Sequence, residues 1–546
     1  MRKSLIVFSF LICFGGFLLA QKLYIADYPD KLFDEGRKMY SDENYVACIE
    51  KMQAYKEIAT NDELIKQADY YIVSSSFARN NLDTPILISD FLQNHPSSEY
   101  ENRLNFLMAS LSFRENNYLE AIEWFHKSDM LLLSKGEQED YSYCYAYCLL
   151  QADKPKEAFP FFAVLSASGK GKYYSPATYY TGYIHFLLEE YDKALTKFSA
   201  LQKDPEYNVY AGFYITQIEF IRQQYDDVIY SGEKLLKNNN LSIEHRLETQ
   251  RVVGESFYHK GDLFQATRYL EPYVNNSSSP LRSSYYMLGA AYFRQADFTN
   301  AVKNLNKVRT DDDLIAQNTY LLLGQSYLQL HDKRNARMAF ESAANMDFDK
   351  DIQEVAMFNC GLLTHEISYS AFGESVFIFE RFLNMFPDSK YTDQVNDCLV
   401  ETYFSTRNYQ AALSSIEKIK QPTRKILEAK QNVLFQIGIQ HFANNDFQKA
   451  IQQFTQSLQV GNYSTEIKAL NYFWRGESYY RLNQFKSATA DYESYLAQTT
   501  KQDKDTYASA LYNLGYAYFK QQNYTAALTH FSRYVSAELK DRKSVV

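Results

Sequence analysis

Proline is scarce in this chain, 11 among 546 residues, and glycine is not plentiful at 19. So few breakers of regular structure exclude a collagen-like or a low-complexity linker protein. Histidine occurs nine times, dispersed, and none stands at zinc spacing to a cysteine. No long run of Lys or Arg interrupts a balance of 57 basic and 66 acidic side chains, a net charge of −9. Nucleic acid is therefore not an expected partner, because phosphate neutralisation supplies most of that affinity. Long apolar runs are missing as well, with one exception at the start.

That exception is Leu5 to Leu19, almost wholly apolar, preceded by Arg2 and Lys3 and followed by Ala20 and Gln21. It falls short of the roughly 20 residues that span a bilayer comfortably, so residues 1–20 read as a signal peptide. Its one cysteine, Cys13, follows Ile12, whereas a lipoprotein acylation site has a small residue before the Cys. After cleavage no transmembrane helix is expected. The cysteines that remain are Cys48, Cys144, Cys148, Cys360 and Cys398, an odd number that cannot all pair internally. They read as small apolar residues at helix contacts.

What the chain has in quantity is aromatic, 48 Tyr and 38 Phe, and periodic. Small residues recur every 34 to 39 positions: Cys48, Thr84, Ala121, Ala158, Ala194, Val228, Ala266, Ala301, Ala336, Ser375, Ala412, Ala450, Ala488 and Ala527. Three residues ahead of most stands an aromatic, as in Tyr191, Phe298, Phe447 and Tyr524, and an apolar residue follows four later, as in Phe198, Leu305, Phe454 and Phe531. Twelve residues ahead stands Gly36, Gly182, Gly254, Gly289, Gly324, Gly438, Gly476 or Gly515. Glycine inside a helix costs roughly 0.5–1 kcal/mol relative to Ala, so its placement in register predicts two helix backbones crossing closely, Gly on helix A facing Ala on helix B. By the same alignment the units around Val228 and Ser375 lack a Gly partner. Asn523, Asp297 and Asp262 stand where they would cap helix B, and Pro85 after Thr84 fits only a first helical turn. Asn275 to Pro280 and Gly169 to Tyr174 are the expected loose connections.

These units resemble tetratricopeptide repeats. Leu514, Gly515, Tyr518, Tyr524, Ala527 and Phe531 carry the full pattern, Leu288, Gly289, Tyr292, Phe298, Ala301 and Leu305 nearly so, and Gly476, Tyr479, Phe485, Ala488 and Tyr492 follow it behind Arg475. The resemblance covers about residues 29 to 540 and implies an all-α, right-handed α-solenoid of about 14 helix-turn-helix units. Domain organisation is expected as a signal peptide over 1–20 and one solenoid over 21–546. The last unit matches best yet lacks a capping helix, and Asp541 to Val546 looks like translated adapter sequence, so the natural chain is expected to continue. Phe91 to Tyr100 and Phe382 to Tyr391 share Phe-Leu, Pro, Ser and Tyr at common offsets. That ending is similar to exported bacterial repeat proteins of the cell envelope, such as the Tol-Pal-associated division coordinator and outer-membrane assembly lipoproteins.

Candidate chemistry is sparse. Gly169-Lys-Gly-Lys172 lacks the rest of a phosphate loop, and His365-Glu366 has no second His one turn on. His185 and His441 occupy the family's Tyr position, which makes them packed helix residues. No catalytic, cofactor-binding or metal-ligating residues are nominated, and the expectation is a protein that is not an enzyme. In the resembling family helix A lines the concave face, through positions three before and one after the Gly site. Here those are Tyr143, Tyr147, Tyr179, Tyr183, Phe213 and Gln217 in three successive units, a partner-binding candidate because aromatics dominate interface energetics. The Lys and Asn clamp by which chaperone-binding relatives hold a terminal carboxylate is not matched. The expected role is a scaffold for protein partners in the periplasm or outer-membrane periphery of a Gram-negative bacterium. The alternatives are a glycan-binding outer-membrane protein of nutrient uptake, or a platform for a catalytic domain beyond Val546.

Overall fold

A computed structural model describes residues 29–308, 311–367, 373–499 and 504–544. The expected signal peptide lies outside the described residues. Fourteen helix pairs follow one another, from 29–41 with Tyr45–Ile58 to Lys504–Lys520 with Tyr524–Ser544. Among the described residues there is no strand, and the fold is an all-α solenoid. By Cα proximity the chain divides into two compact parts, one up to Val252 and one from Val253, a boundary inside helix A of the seventh pair (Ile243–Lys260). No described helix is long and apolar enough to cross a membrane.

One turn geometry explains why the units repeat so regularly. In unit 5, helix A (Tyr174–Leu187) ends with Glu189 at φ 59°. The Glu190 N–H then reaches back to the His185 carbonyl at 2.8 Å and the Glu189 N–H to the Phe186 carbonyl at 3.0 Å. These are the two bonds of a Schellman ending. The same left-handed residue stands two before helix B as Asn116, Asp153, Gln223, Ala296, His331, Asn445, Asn483 and Gln522, and among the described residues only at Gly261 is it a glycine. Helix B opens at the next residue but one, and its cap is often the expected one: Asp262, Asp297, Asp332, Asn408 and Asp446 each accept a backbone N–H of the first turn. Unit 2 is the variant, with helix B (Thr84–Asn94) starting late and Pro85 in its first turn.

Each small residue that marks the period is buried, from Cys48 and Ala121 at 0% exposure to Ser375 and Ala527 at 3%. The glycines do not face them. A Cβ built on Gly438 would lie 2.5 Å from Phe454, one on Gly182 2.9 Å from Phe198, and one on Gly289 2.6 Å from Leu305. Glycine is thus needed against the residue one turn beyond the Ala, where the bulky side chain of helix B comes up to the backbone of helix A. This corrects the expected Gly–Ala facing. It also corrects unit 10, where Gly361 fills the role with its Cβ direction 2.5 Å from Phe379. The spacing to Ser375 is 14 residues instead of 12, which hides the match. Unit 6 does lack the pair. Gly212 has only Leu235 nearby at 3.6 Å, and Thr216, at the glycine position, bonds to Ser231 at 3.0 Å.

The core is a succession of apolar clusters between the two helices of a unit and the next helix A, as in the group from Tyr70 to Ile184 and that from Ala336 to Ile437. Fully burying a Phe such as Phe198 or Phe454 contributes about 1.5–3 kcal/mol. Arg475, which stands where the repeat wants Leu, is half-buried and holds the buried Asp491 in a two-pronged pair at 2.7 and 2.6 Å. The five cysteines among the described residues are free thiols, Cys398 half-buried and the other four buried, and burial pushes the Cys144 and Cys148 thiols up to about 12. Among the described residues no His, Cys, Asp and Glu group is arranged to hold a metal.

Candidate functional site

Helix A of unit 4 (Lys135–Gln151), unit 5 (Tyr174–Leu187) and unit 6 (Asn208–Ile221) carry the six nominated residues. Tyr143, Tyr147, Tyr179 and Tyr183 are half-buried, whereas Phe213 and Gln217 are buried at 7% and 9% exposure. The first residue of each pair is engaged across a unit boundary. Tyr143 stacks on Tyr173 with centroids 4.4 Å apart and planes 16° apart. Phe213 stacks on His245 at 4.0 Å and 18°, and Tyr179 meets Tyr207 at 5.6 Å. Parallel pairs of this kind contribute about 0.5–1.5 kcal/mol beyond burial.

The second residues sit differently. Tyr147 touches Phe113 and Tyr118 edge-on at 5.7 Å and Tyr180 at 5.4 Å. Tyr183 leans on Tyr214 at 5.5 Å. Gln217 has a buried side-chain amide nitrogen with no hydrogen-bond partner. Burial pushes the Tyr143, Tyr179 and Tyr180 hydroxyls far above their ordinary range and the Tyr207 and Tyr214 hydroxyls up to about 12. These phenols stay neutral at any physiological pH. They offer ring edges and O–H groups, not charge.

The structure shows a second feature on the same side, which sequence reasoning missed. A groove of about 410 Å³ runs over helix A of units 1 to 4 and the start of unit 5. Phe77, Phe106, Leu107 and Phe113 give it an apolar lining, with Tyr40 and Tyr45 among the unit 1 residues and Tyr173 among those of unit 5. Five charged side chains line it. Arg103 is bound to Glu137 at 2.7 Å and to the Tyr70 hydroxyl, and Lys172 to Asp140 at 3.0 Å. Arg114 lies over the Phe77 ring at 4.7 Å and donates to the Asn80 side chain at 2.5 Å. Lys172, in the stretch expected as a loose connection, is exposed yet paired, and its ammonium also sits 4.6 Å over Tyr173. The signal was weak: these cations lie 11 and 58 residues apart in sequence and meet only when the units stack.

His185 is a packed helix residue, as expected, with 7% exposure, its Nδ1 2.6 Å from Glu190 and its ring against Phe159.

Models of the tetratricopeptide repeat match residues 283–312, 317–350 and 473–541. These stretches are tetratricopeptide repeats. The matched stretches include the units with the most regular glycine and turn pattern, and the aromatic units 4 to 6 lie outside them. No curated protein matches the chain significantly. A solved chain from the crystal structure of the APC/C hetero-tetramer Cut9-Hcn1 aligns at 12% identity over 93% of both chains with a TM-score of 0.25. At that score the likeness carries no argument about function. Arrays of this repeat are interaction scaffolds, and protein is the partner class the repeat implies.

Proposed function

We propose that this protein is a non-enzymatic scaffold that holds protein partners along its helix A side, with the face of units 4 to 6 as its central contact. The observation that carries this reading is the aromatic face itself. Tyr147 and Tyr183 stay half-exposed on helices whose other rings are locked in place, so a partner would meet rigid aromatic anchors that lose little entropy on binding. A sugar ligand would want an open ring face, and Tyr143 and Phe213 each have one covered by Tyr173 and His245. A protein partner is thus the better fit.

The working compartment we propose is the envelope of a Gram-negative bacterium. The charged and apolar order of residues 1–20 supports export. So does the shared ending of Phe91–Tyr100 and Phe382–Tyr391. In both copies the final Tyr stacks on helix A before it, Tyr100 on Tyr70 at 4.0 Å and Tyr391 on Phe358 at 4.1 Å. The test is capture of partners from envelope extract by the wild-type chain and by a Tyr147→Ser/Tyr183→Ser variant of matched helicity. Loss of specific partners from the variant is the expected result. An unchanged set of captured proteins would remove these residues from the site.

A further inference from the structure

We infer that the groove over units 1 to 5 takes an extended internal segment of a partner protein, one that carries an Asp or Glu side chain flanked by apolar residues. This rests on the scaffold reading above and adds the chemistry of what is bound. Of the five charged residues in the lining, Arg103 and Lys172 are each neutralised, by Glu137 and by Asp140. Arg114 is left with no carboxylate partner among the described residues, and its contacts are a neutral amide and a ring. The lining therefore has one positive charge in excess, in a chain whose net charge is −9.

A guanidinium lying over the Phe77 ring and held from one side by the Asn80 side chain is oriented before any ligand arrives. Its remaining N–H groups suit a carboxylate, the planar anion that guanidinium binds with two parallel bonds. A single excess cation flanked by two carboxylates is too little for a phosphate backbone, whose affinity grows with the number of phosphates neutralised.

A second, independent feature points to a ligand. Ser74 lines the groove, is 3% exposed, and its hydroxyl has no partner. An unsatisfied buried hydroxyl costs roughly 1–3 kcal/mol, and a backbone N–H or C=O running along the groove would relieve it. The unit order sets where the anion sits. Arg114 belongs to unit 3, with groove residues from units 1 and 2 before it and from units 4 and 5 after it. A chain lying along the groove continues on both sides of that point, so the carboxylate comes from a side chain and not from a chain end.

The experiment uses the full chain and three fluorescein-labelled nonapeptides with acetylated and amidated ends, of alternating Leu and Asp, Leu and Asn, or Leu and Lys. Fluorescence anisotropy reads affinity. The Asp peptide is expected to bind at least tenfold tighter than the Asn peptide, with Arg114→Ala erasing that preference and Arg114→Glu shifting it to the Lys peptide. A fourth peptide, the Asn sequence with a free terminal carboxylate, tests the chain-end alternative and should bind no better than its amidated form. Circular dichroism of each variant confirms that it is folded, and Lys203→Ala, which removes an exposed cation outside the lining, serves as a control that leaves the preference intact. Equal binding of the Asp and Asn peptides, or a preference that survives Arg114→Glu, overturns the inference. Should that happen while the Tyr147/Tyr183 variant still loses partners, the scaffold reading stands and only the groove chemistry falls.

Discussion

The two halves of this chain join one helix pair to the next by different chemistry. Between residues 101 and 252 the units are joined by stacked rings alongside ion pairs such as Arg103–Glu137: Phe106 near-parallel to Tyr141, Tyr143 on Tyr173, Phe213 on His245. Beyond residue 280 several joints are amides and charges gripping loop backbone. Gln317 donates to the carbonyls of Met346 and Asp349 at 3.0 and 3.1 Å and accepts from the Asp349 N–H at 2.8 Å. Gln431 does the same for Gly461 and Ser464, and Arg282 holds Asp313 and the Val308 carbonyl. Rings fill space and tolerate a shift; an amide fixes one backbone group at one distance. The later half also uses Gly against the bulky side chain in seven units, at 254, 289, 324, 361, 438, 476 and 515, where the earlier half does so only at 36 and 182. Regular packing and regular sequence go together, and the repeat models match in the regular half. The irregular half has rings to spare for a partner.

Breaking a polar joint should therefore cost more than breaking a ring joint. Gln317→Ala takes the side-chain partner from the part-buried Asp349 N–H and two part-buried loop carbonyls at once, an expected loss of about 2–4 kcal/mol over the three groups. Hydrogen exchange read over residues 314–353 is the suitable measure, since repeat arrays open locally. Gly438→Ala comes next at about 1–3 kcal/mol, because its methyl carbon would lie 2.5 Å from the Phe454 ring. Tyr143→Leu should cost only about 1 kcal/mol, the stacking component, since Leu still fills the space beside Tyr173. Equal losses at Gln317 and Tyr143 would dissolve the distinction between the two halves.

Titration separates the same joints in opposite directions. The Arg282 guanidinium holds the Asp313 carboxyl down at about 2, from an ordinary value of 3.8. A lowered folded value means the pair stabilises the fold above about pH 4 and loses that contribution as pH falls toward 2. Tyr207 and Tyr214, raised by burial to about 12 from 10.0, stabilise fully below pH 10 and lose that as pH rises toward 12. Acid should raise exchange first around residues 282–316, base first around residues 207–214. Asp313→Asn is expected to flatten the acid limb alone.

Much of this was legible in the sequence, for physical reasons that differ by residue. The period was visible because Ala194, Ala301 or Ala450 sits where nothing larger fits, and such positions repeat with the turn that precedes them. What the glycines oppose was not, since Gly438 and Phe454 come together only through the angle between the two helices, and composition does not reveal an angle. Gly361 escaped because Ser375 follows it by 14 residues in place of the usual 12. Tyr143, Tyr179 and Phe213 could be placed on one helix stripe from spacing alone, but not their ring contacts with Tyr173, Tyr207 and His245, which lie 28 to 32 residues away. The Arg114 groove was out of reach for the same reason, being assembled from helices of five units.

The smallest effect is also the most discriminating, because its sign reverses. Gly212 lies in helix A of unit 6 (Asn208–Ile221), with Leu235 at ordinary contact distance, 3.6 Å, from where a Cβ would stand. Nothing opposes a methyl group there, and replacing a helical glycine by alanine recovers about 0.5–1 kcal/mol of backbone entropy. Gly212→Ala should thus stabilise unit 6, seen as slower exchange over residues 208–236, while the same change at Gly438 destabilises unit 12. If both substitutions destabilise, glycine in the earlier half serves a helix contact that Leu235 does not represent. If both are harmless, the bulky side chains move aside freely, and the regularity of the later half is not enforced by its glycines.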